Sequence, residues 1–350
     1  MNAPLGTREL SSDDPVRTDA LTNWWRDELG GQPDELRVFK GGQSNPTYWV
    51  RSGERAYVLR KKPAGKILPS AHAVEREARI SAALAETDVP VAQVHAICTD
   101  ESIVGTPFFV MEFVDGDIYW NVQMPDASPA RRSAVYDELA RVLATLHAVD
   151  IDAVGLGDYG GKGSYVQRQV DRWSRQYVAS KTDEVATMER LMKYLPEHIP
   201  GDERTTLVHG DYRLDNLIFE HAGADTTSAR AKALIDWELS TLGHPVADLA
   251  YTCMLYDVVL PRIGGLLGVD FDATGIPNEK DFVDAYRRHG GEVDERDFVY
   301  LKAFGLFRLA AIAQGVYKRS LQGNASGEGA QLFRLAVPQL ASIACKLVGA

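Results

Sequence analysis

The spacing of apolar positions changes period more than once in the first third of the chain. From Asp19 to Leu29, DALTNWWRDEL puts Leu21, Trp24, Trp25 and Leu29 at helical intervals, and Gly30-Gly31 supplies a stop. Short runs of strand character follow: LRVFK over 36–40, TYWVRS over 47–52 and AYVLRK over 56–61. The turn signals Gly41-Gly42 and Ser52-Gly53 separate them, which predicts an antiparallel meander. A loop is expected from Pro63 to Pro69, then a helix over 71–85, where Val74, Ile80 and Leu84 stand among strong helix formers. Two more strands are expected over 91–98 and 107–114, the second ending at Asp115-Gly116.

Beyond Gly116 the pattern turns helical, with helices expected over about 128–147, 164–195, 244–260, 279–290, 295–320 and 328–347. One β-like block interrupts them, LVHGDYRLDNLIFE over 207–220 and KALIDWE over 232–238. The fold class is therefore α+β: a small antiparallel-β lobe with one helix, then a larger, mainly helical lobe with a short sheet at its heart. The expected division is an N-terminal arm and helix (1–34, the first 15 or so residues flexible), a small lobe (35–115) and a large lobe (116–350).

Composition narrows the function. The chain has 350 residues, with 38 Lys plus Arg against 49 Asp plus Glu, a formal charge of −11, and 45% apolar residues. That is a folded, globular composition. Its negative field argues against a general nucleic-acid or anionic-membrane binder, though it says nothing about one pocket. No run reaches the roughly 18 apolar residues that read as a membrane span, and the N-terminus lacks the apolar core of a signal peptide. Cys98, Cys253 and Cys345 are far apart and without metal-site spacing, so a reducing cytoplasm is expected.

Candidate chemistry concentrates in His209-Gly210-Asp211, Asn216 and Ile235-Asp236-Trp237. Metal-assisted phosphoryl transfer needs a carboxylate to orient and deprotonate an attacking hydroxyl, and hard oxygen ligands for Mg²⁺. Asp211 fits the first need; Asn216 and Asp236, at strand ends, fit the second. The competing reading is that Asp211 and Asn216 cap turns and Asp236 closes a hairpin.

In order, the small β lobe, HGDxxxxN, IDW and a downstream GxPxxDLA resemble the aminoglycoside phosphotransferase and choline kinase-like superfamily, a branch of the protein-kinase-like bilobal fold. GGQSNPTY, YVLRKKPxGK, SAHAVERE and HGDYRLDNLIF look most like the kinase-like domain found N-terminal to some acyl-CoA dehydrogenases. Recognisable motifs cover about 35–255. The resemblance implies an ATP-dependent phosphotransferase (GTP staying open as the nucleotide) that needs Mg²⁺ and acts on a hydroxyl of a small molecule. It also implies a hydroxyacyl substrate, such as a 4-hydroxy acid as its CoA thioester, and a functional link to an acyl-CoA dehydrogenase. Antibiotic phosphorylation of the aminoglycoside type and a catalytically silent nucleotide-binding scaffold are the alternatives.

Residue by residue, the resemblance gives Gly41, Gly42, Gln43, Ser44 and Asn45 to the loop covering the phosphates. It puts Arg60 where kinases carry the strand lysine, with Glu77 as its ion-pair partner. Strand alternation leaves Lys61 with Glu75 as the other pairing. Backbone groups of Glu112 and Val114 correspond to the hinge that binds the adenine edge. His209 is expected to organise its loop, Asp248 to cap a helix or brace that loop, and His147 to partner a helix end. Substrate choice is left to the later helices, which carry Arg168, Arg172, Arg175, Lys318 and Arg319.

Overall fold

Strand-forming residues alternating at period two in the first third of the chain build one six-stranded antiparallel sheet. The computed structural model describes residues 4, 6–11, 14, 16, 18–40, 45–65, 74–161, 163–201, 204–221, 223, 226–261, 263–322 and 330–350. The elements of its first part are β1 (Thr7–Glu9), α1 (Asp19–Leu29), β2 (Glu35–Phe39), β3 (Thr47–Ser52), β4 (Arg55–Lys61), α2 (Val74–Leu84), β5 (Val94–Cys98), α3 (Glu101–Val104) and β6 (Phe108–Glu112). The strand order is β1-β2-β3-β4-β6-β5. On one face, Tyr57 and Leu59 of β4 and Phe108 and Val110 of β6 pack with Leu21 and Trp25 of α1. On the other, Phe109 packs with Val74 and Ala78 of α2.

The first residues, expected as a flexible arm, instead contribute β1, whose Thr7 pairs with Phe39. Pairing satisfies the backbone polar groups that an arm would leave to water.

The second part comprises α4 (Pro129–His147), α5 (Tyr165–Ser180), α6 (Ala186–Glu197), β7 (Thr206–Val208), β8 (Leu217–Phe219), β9 (Ala231–Leu234), β10 (Thr241–Gly243), α7 (Val246–Cys253), β11 (Val259–Leu260), β12 (Gly264–Gly265), α8 (Phe271–Thr274), α9 (Glu279–Arg288), α10 (Glu295–Leu321) and α11 (Ala330–Val348). The single helix expected over 164–195 is two. Lys181 leaves helical backbone at ψ 132°, and Gln314 Nε2 fixes the corner by donating to Ser180 O (2.9 Å) and Thr182 Oγ1 (3.0 Å). The helix expected over 244–260 gives way after Cys253 to a 3₁₀ turn, Met254–Tyr256. α10 is long and apolar enough to cross a membrane by length and composition, yet 72% of that window is buried in the protein. It reads as a core helix, with Lys302, Arg308 and Gln314 buried along it.

The β block also differs from a single short sheet. β7 pairs with β10 and β8 with β9, in two separate ribbons. The chain divides into two compact units: residues 1–117, 216–221 and 231–239 form the first, and 118–215, 222–230 and 240–350 the second. The β8–β9 ribbon thus belongs with the sheet. Within that unit Asp117 N–H donates to Phe219 O (2.9 Å), and a side chain at Gly116 would meet that carbonyl at 2.2 Å, so this close backbone approach excludes a Cβ.

Candidate active-site residues

In the first unit, strand alternation decides which basic residue of β4 faces α2. Arg60 points to it: Nε lies 2.8 Å from Glu77 Oε2 and Nη2 donates to Asp236 Oδ1 at 2.6 Å. Lys61 shares the face of Leu59, and its buried Nζ donates to Val104 O (2.7 Å), so the Lys61–Glu75 pairing does not form. Glu77 is buried and also accepts from Asn45 Nδ2 (2.6 Å). Burial raises its carboxyl to about 7 although Arg60 pulls the other way.

Asn45, expected among the phosphate contacts, is fully buried and directed at Glu77. It acts on the ion pair instead. Gly41, Gly42, Gln43 and Ser44 lie outside the described residues.

Asn216 and Asp236 are brought to one end of the β8–β9 ribbon. Leu217 pairs with Leu234, and Ile235 N–H donates to Asn216 O (2.9 Å), so the residues just outside the ladder are neighbours. Asp236 has φ 69°, left-handed backbone that a non-glycine residue rarely adopts and that Asp tolerates better than most. In the hinge segment, Glu112 N–H donates to Gln93 O (2.9 Å), whereas Val114 N–H has no acceptor among the described residues.

In the second unit, the His209–Asp211 loop leaves β7 and is held from beneath by one carboxylate. Asp248, buried in α7, accepts from His209 N–H (2.6 Å) and Gly210 N–H (2.8 Å). His147 Nε2 stands 3.6 Å from the same carboxylate, and its Nδ1 meets Tyr286 Oη at 2.8 Å. Burial alone would raise the Asp248 carboxyl; His147, the nearby His209 and the Gly210 N–H outweigh it and hold it low. Gly210 has φ 81°, a conformation that glycine takes without strain. Asp248 and His147 therefore both act through the loop.

Asp211 itself is met by Arg213 Nη2 at 3.3 Å, which also reaches Asp215 (3.3 Å), and by the Tyr251 hydroxyl. Burial first, and the Asp211 charge second, raise the Tyr251 pKa and keep it a donor. Sequence reasoning missed Arg213, Tyr251 and Arg308. Arg308, buried in α10, donates from Nη1 to Gly210 O (2.9 Å), and its guanidinium lies 5.2 Å from the Tyr251 ring centroid. The signal was one arginine inside AFGLFRLAAIA, where a charge must be matched by a specific partner.

Comparison with known proteins agrees with the resemblance read from the motifs. A profile of the phosphotransferase enzyme family called APH matches residues 35–288. Acyl-CoA dehydrogenase family member 10 of Mus musculus is 46% identical over 330 residues, covering 93% of this chain and 30% of the mouse protein. The chain spans only 30 to 40% of the length of the curated relatives it matches. A solved structure from Ralstonia eutropha, assigned provisionally to the aminoglycoside phosphotransferases, shares 43% identity with a TM-score of 0.83, covering 94% of this chain and 97% of that one. A spectinomycin phosphotransferase in complex with ADP and spectinomycin, 14% identical, shares the fold at a TM-score of 0.61, covering 96% of this chain and 100% of that one.

Proposed function

The chain belongs to the APH phosphotransferase enzyme family, and from that premise we propose that it is a kinase transferring the γ-phosphoryl group of ATP to a hydroxyl of a small hydroxyacyl compound. The observation that carries this reading is the His209-Gly210-Asp211 loop, mounted by its backbone on buried Asp248 with the Asp211 carboxylate left partly exposed. A base must be held still while its substrate changes, and this mounting supports that.

In the proposed reaction the acceptor hydroxyl oxygen bonds to the γ-phosphorus as the bond from phosphorus to the ADP oxygen breaks. Asp211 takes the hydroxyl proton, and ADP carries away the negative charge. Arg60, held by Glu77, binds phosphate oxygens. Val114 N–H is the proposed donor to the adenine edge. Asn216 and Asp236 offer an amide and a carboxylate oxygen from one ribbon end, the hard donors that Mg²⁺ takes, and these residues would hold it. When bound, that ion neutralises phosphate charge. The 46% identity to a mouse acyl-CoA dehydrogenase family member supports a hydroxyacyl acceptor and a link to such a dehydrogenase. The three cysteines, all free and buried, are in keeping with a reducing cytoplasm as the compartment.

An ATP-consumption screen across hydroxyacyl-CoAs, hydroxy acids, aminoglycosides and amino alcohols tests the reading. On the acceptor so found, Asp211→Asn is expected to lower kcat by about 10² to 10⁴. Stabilisation by ATP with Mg²⁺ in a thermal-shift titration is expected to persist. Normal turnover by Asp211→Asn would remove Asp211 from the chemistry.

A further inference from the structure

In a chain with 49 acidic residues against 38 Lys and Arg, an arginine without a carboxylate partner is unexpected, and two beside one ring more so. Arg172 of α5 and Arg308 of α10 have their guanidinium carbons 5.5 and 5.4 Å from the centroid of the Trp173 ring. Neither forms a salt bridge with any described residue. Arg308 uses Nη1 on the Gly210 carbonyl, while its Nε is buried with no partner. Trp173 is buried, and its indole N–H likewise has no acceptor. Arg172 is open to solvent and makes no hydrogen bond to the described residues. Partial desolvation, then the like charge of Arg308, hold its pKa below the ordinary value.

No carboxylate of the described residues stands within ion-pair distance of either guanidinium, although Asp248 and Asp211 act on the same tyrosines as Arg308. Tyr165 stays protonated, its pKa raised by burial to about 12. Asp171, next to Arg172 in the chain, accepts from Gln167 Nε2 (2.9 Å), and Arg168 donates to Gly163 O. A ring contact engages the face of a guanidinium and leaves its N–H edge unsatisfied. The patch thus leaves the Arg172 guanidinium, the Trp173 indole N–H and Arg308 Nε without acceptors among the described residues, two residues of α5 and one of α10. It is also tied to the proposed base, because Arg308 touches Gly210 and the ring of Tyr251, whose hydroxyl bonds Asp211.

We propose that Arg172, Trp173 and Arg308 form an anion seat that receives a carboxylate or phosphate group of the acceptor and disfavours polycationic acceptors. This rests on the phosphotransferase reading only for naming the ligand as the acceptor; the seat itself rests on the donor count. Cation repulsion by two unpaired arginines acts against an aminoglycoside before any contact is made. A free hydroxy acid would present its carboxylate there, and a hydroxyacyl-CoA its phosphates.

The test uses Arg172→Gln in the full chain, at an exposed position that makes no hydrogen bond or ion pair to the described residues. The probes are a series of 4-hydroxy acids of four to eight carbons, their CoA thioesters and their uncharged N-acetylcysteamine thioesters. For the probe that carries the recognised anion, the ratio of its KM to that of the uncharged thioester is expected to rise about tenfold or more, the scale of a lost charge-assisted hydrogen bond. A rise for the free acids identifies the carboxylate, and a rise for the CoA thioesters identifies the phosphates. Arg175→Gln removes the same charge from an exposed position on the same helix and is expected to leave the ratio unchanged. An unchanged ratio in Arg172→Gln, or an equal rise in both variants, overturns the proposal. Binding of the same probes is also read by thermal shift without ATP. If no probe is phosphorylated but Arg172→Gln abolishes their binding, the seat stands and the kinase reading falls. If turnover is seen and the ratio does not move, the reverse holds.

Discussion

The two units hold their charged groups by opposite means. In the first, Arg60 is fixed by side chains alone, between buried Glu77 and an Asp236 side chain that is 35% exposed. In the second, the Asp211 loop is fixed through its backbone, two N–H groups on the fully enclosed carboxylate of Asp248. Of the two ion pairs only Arg60–Asp236 is partly wetted, and such a pair exchanges more readily than a buried one, because screening and hydration keep its net strength small. Backbone bonds to a buried carboxylate do not exchange, since breaking them strands donors away from water. In the proposed reaction Arg60 has to release one partner for a phosphate, and Asp211, the proposed base, has to stay where it is. The contrast matches those two demands.

Removing the rigid mount is expected to have the larger effect. Asp248→Ala leaves two loop N–H groups without their acceptor and removes the carboxylate 3.6 Å from His147 Nε2, and is expected to lower stability by about 3 to 5 kcal/mol. Asp248→Asn retains one acceptor oxygen and should recover part of that loss. Denaturant unfolding of both variants checks it. If Asp248→Ala were as stable as the parent chain, the mount would be ornamental and the contrast between the units would collapse.

The exchangeable site should respond differently, in substrate affinity more than in folding. Arg60→Met is expected to raise the KM for ATP about 10- to 100-fold, as loss of a charge-assisted phosphate contact does. Lys61→Met is expected to stay within about threefold of the parent in the same assay, because Lys61 points to the other face and holds only the Val104 carbonyl. Steady-state kinetics at varied ATP separates them. Equal losses would mean that the positive charge of β4 acts as a field and that its alternation is irrelevant.

How much of this was legible beforehand follows from the range of each interaction. Period-two alternation told Arg60 from Lys61 as two faces, but not which face carried α2; that required the packing of Phe109 on Val74 and Ala78. The placement of Asp211 on a tight turn and of Asn216 and Asp236 at strand ends was legible because it is set locally. Asn45 was misread as a phosphate contact, since a polar residue beside a glycine turn looks solvent-facing until its 32-residue link to Glu77 is known. The partners of Arg308 and Tyr251 were hidden for the same reason: a lone arginine in an apolar helix signals that a partner is needed, yet Arg308 reaches Gly210 across 98 residues and nothing in its own helix announces which one. The segment from Leu207 to Phe219 read as part of one β-like block, yet Gly210 turns it at positive φ and its two strands join separate ribbons.

The smallest effect expected is also the one most specific to the exchangeable site. Burial raises the Glu77 carboxyl from an ordinary 4.5 to about 7, so the folded chain binds that proton more tightly than the unfolded chain does. The stability this proton contributes is complete below about pH 4.5 and is lost as pH rises through about 7. Glu77→Gln has no proton to lose. The difference in Tm between the parent chain and Glu77→Gln is therefore expected to fall steadily from pH 4.5 to pH 7, in the parent's disfavour. A thermal-unfolding series in that window checks the sign. Were the difference to grow with pH instead, Glu77 would be ionised in the fold throughout, and the first unit's ion pair would be as firmly set as the second unit's loop.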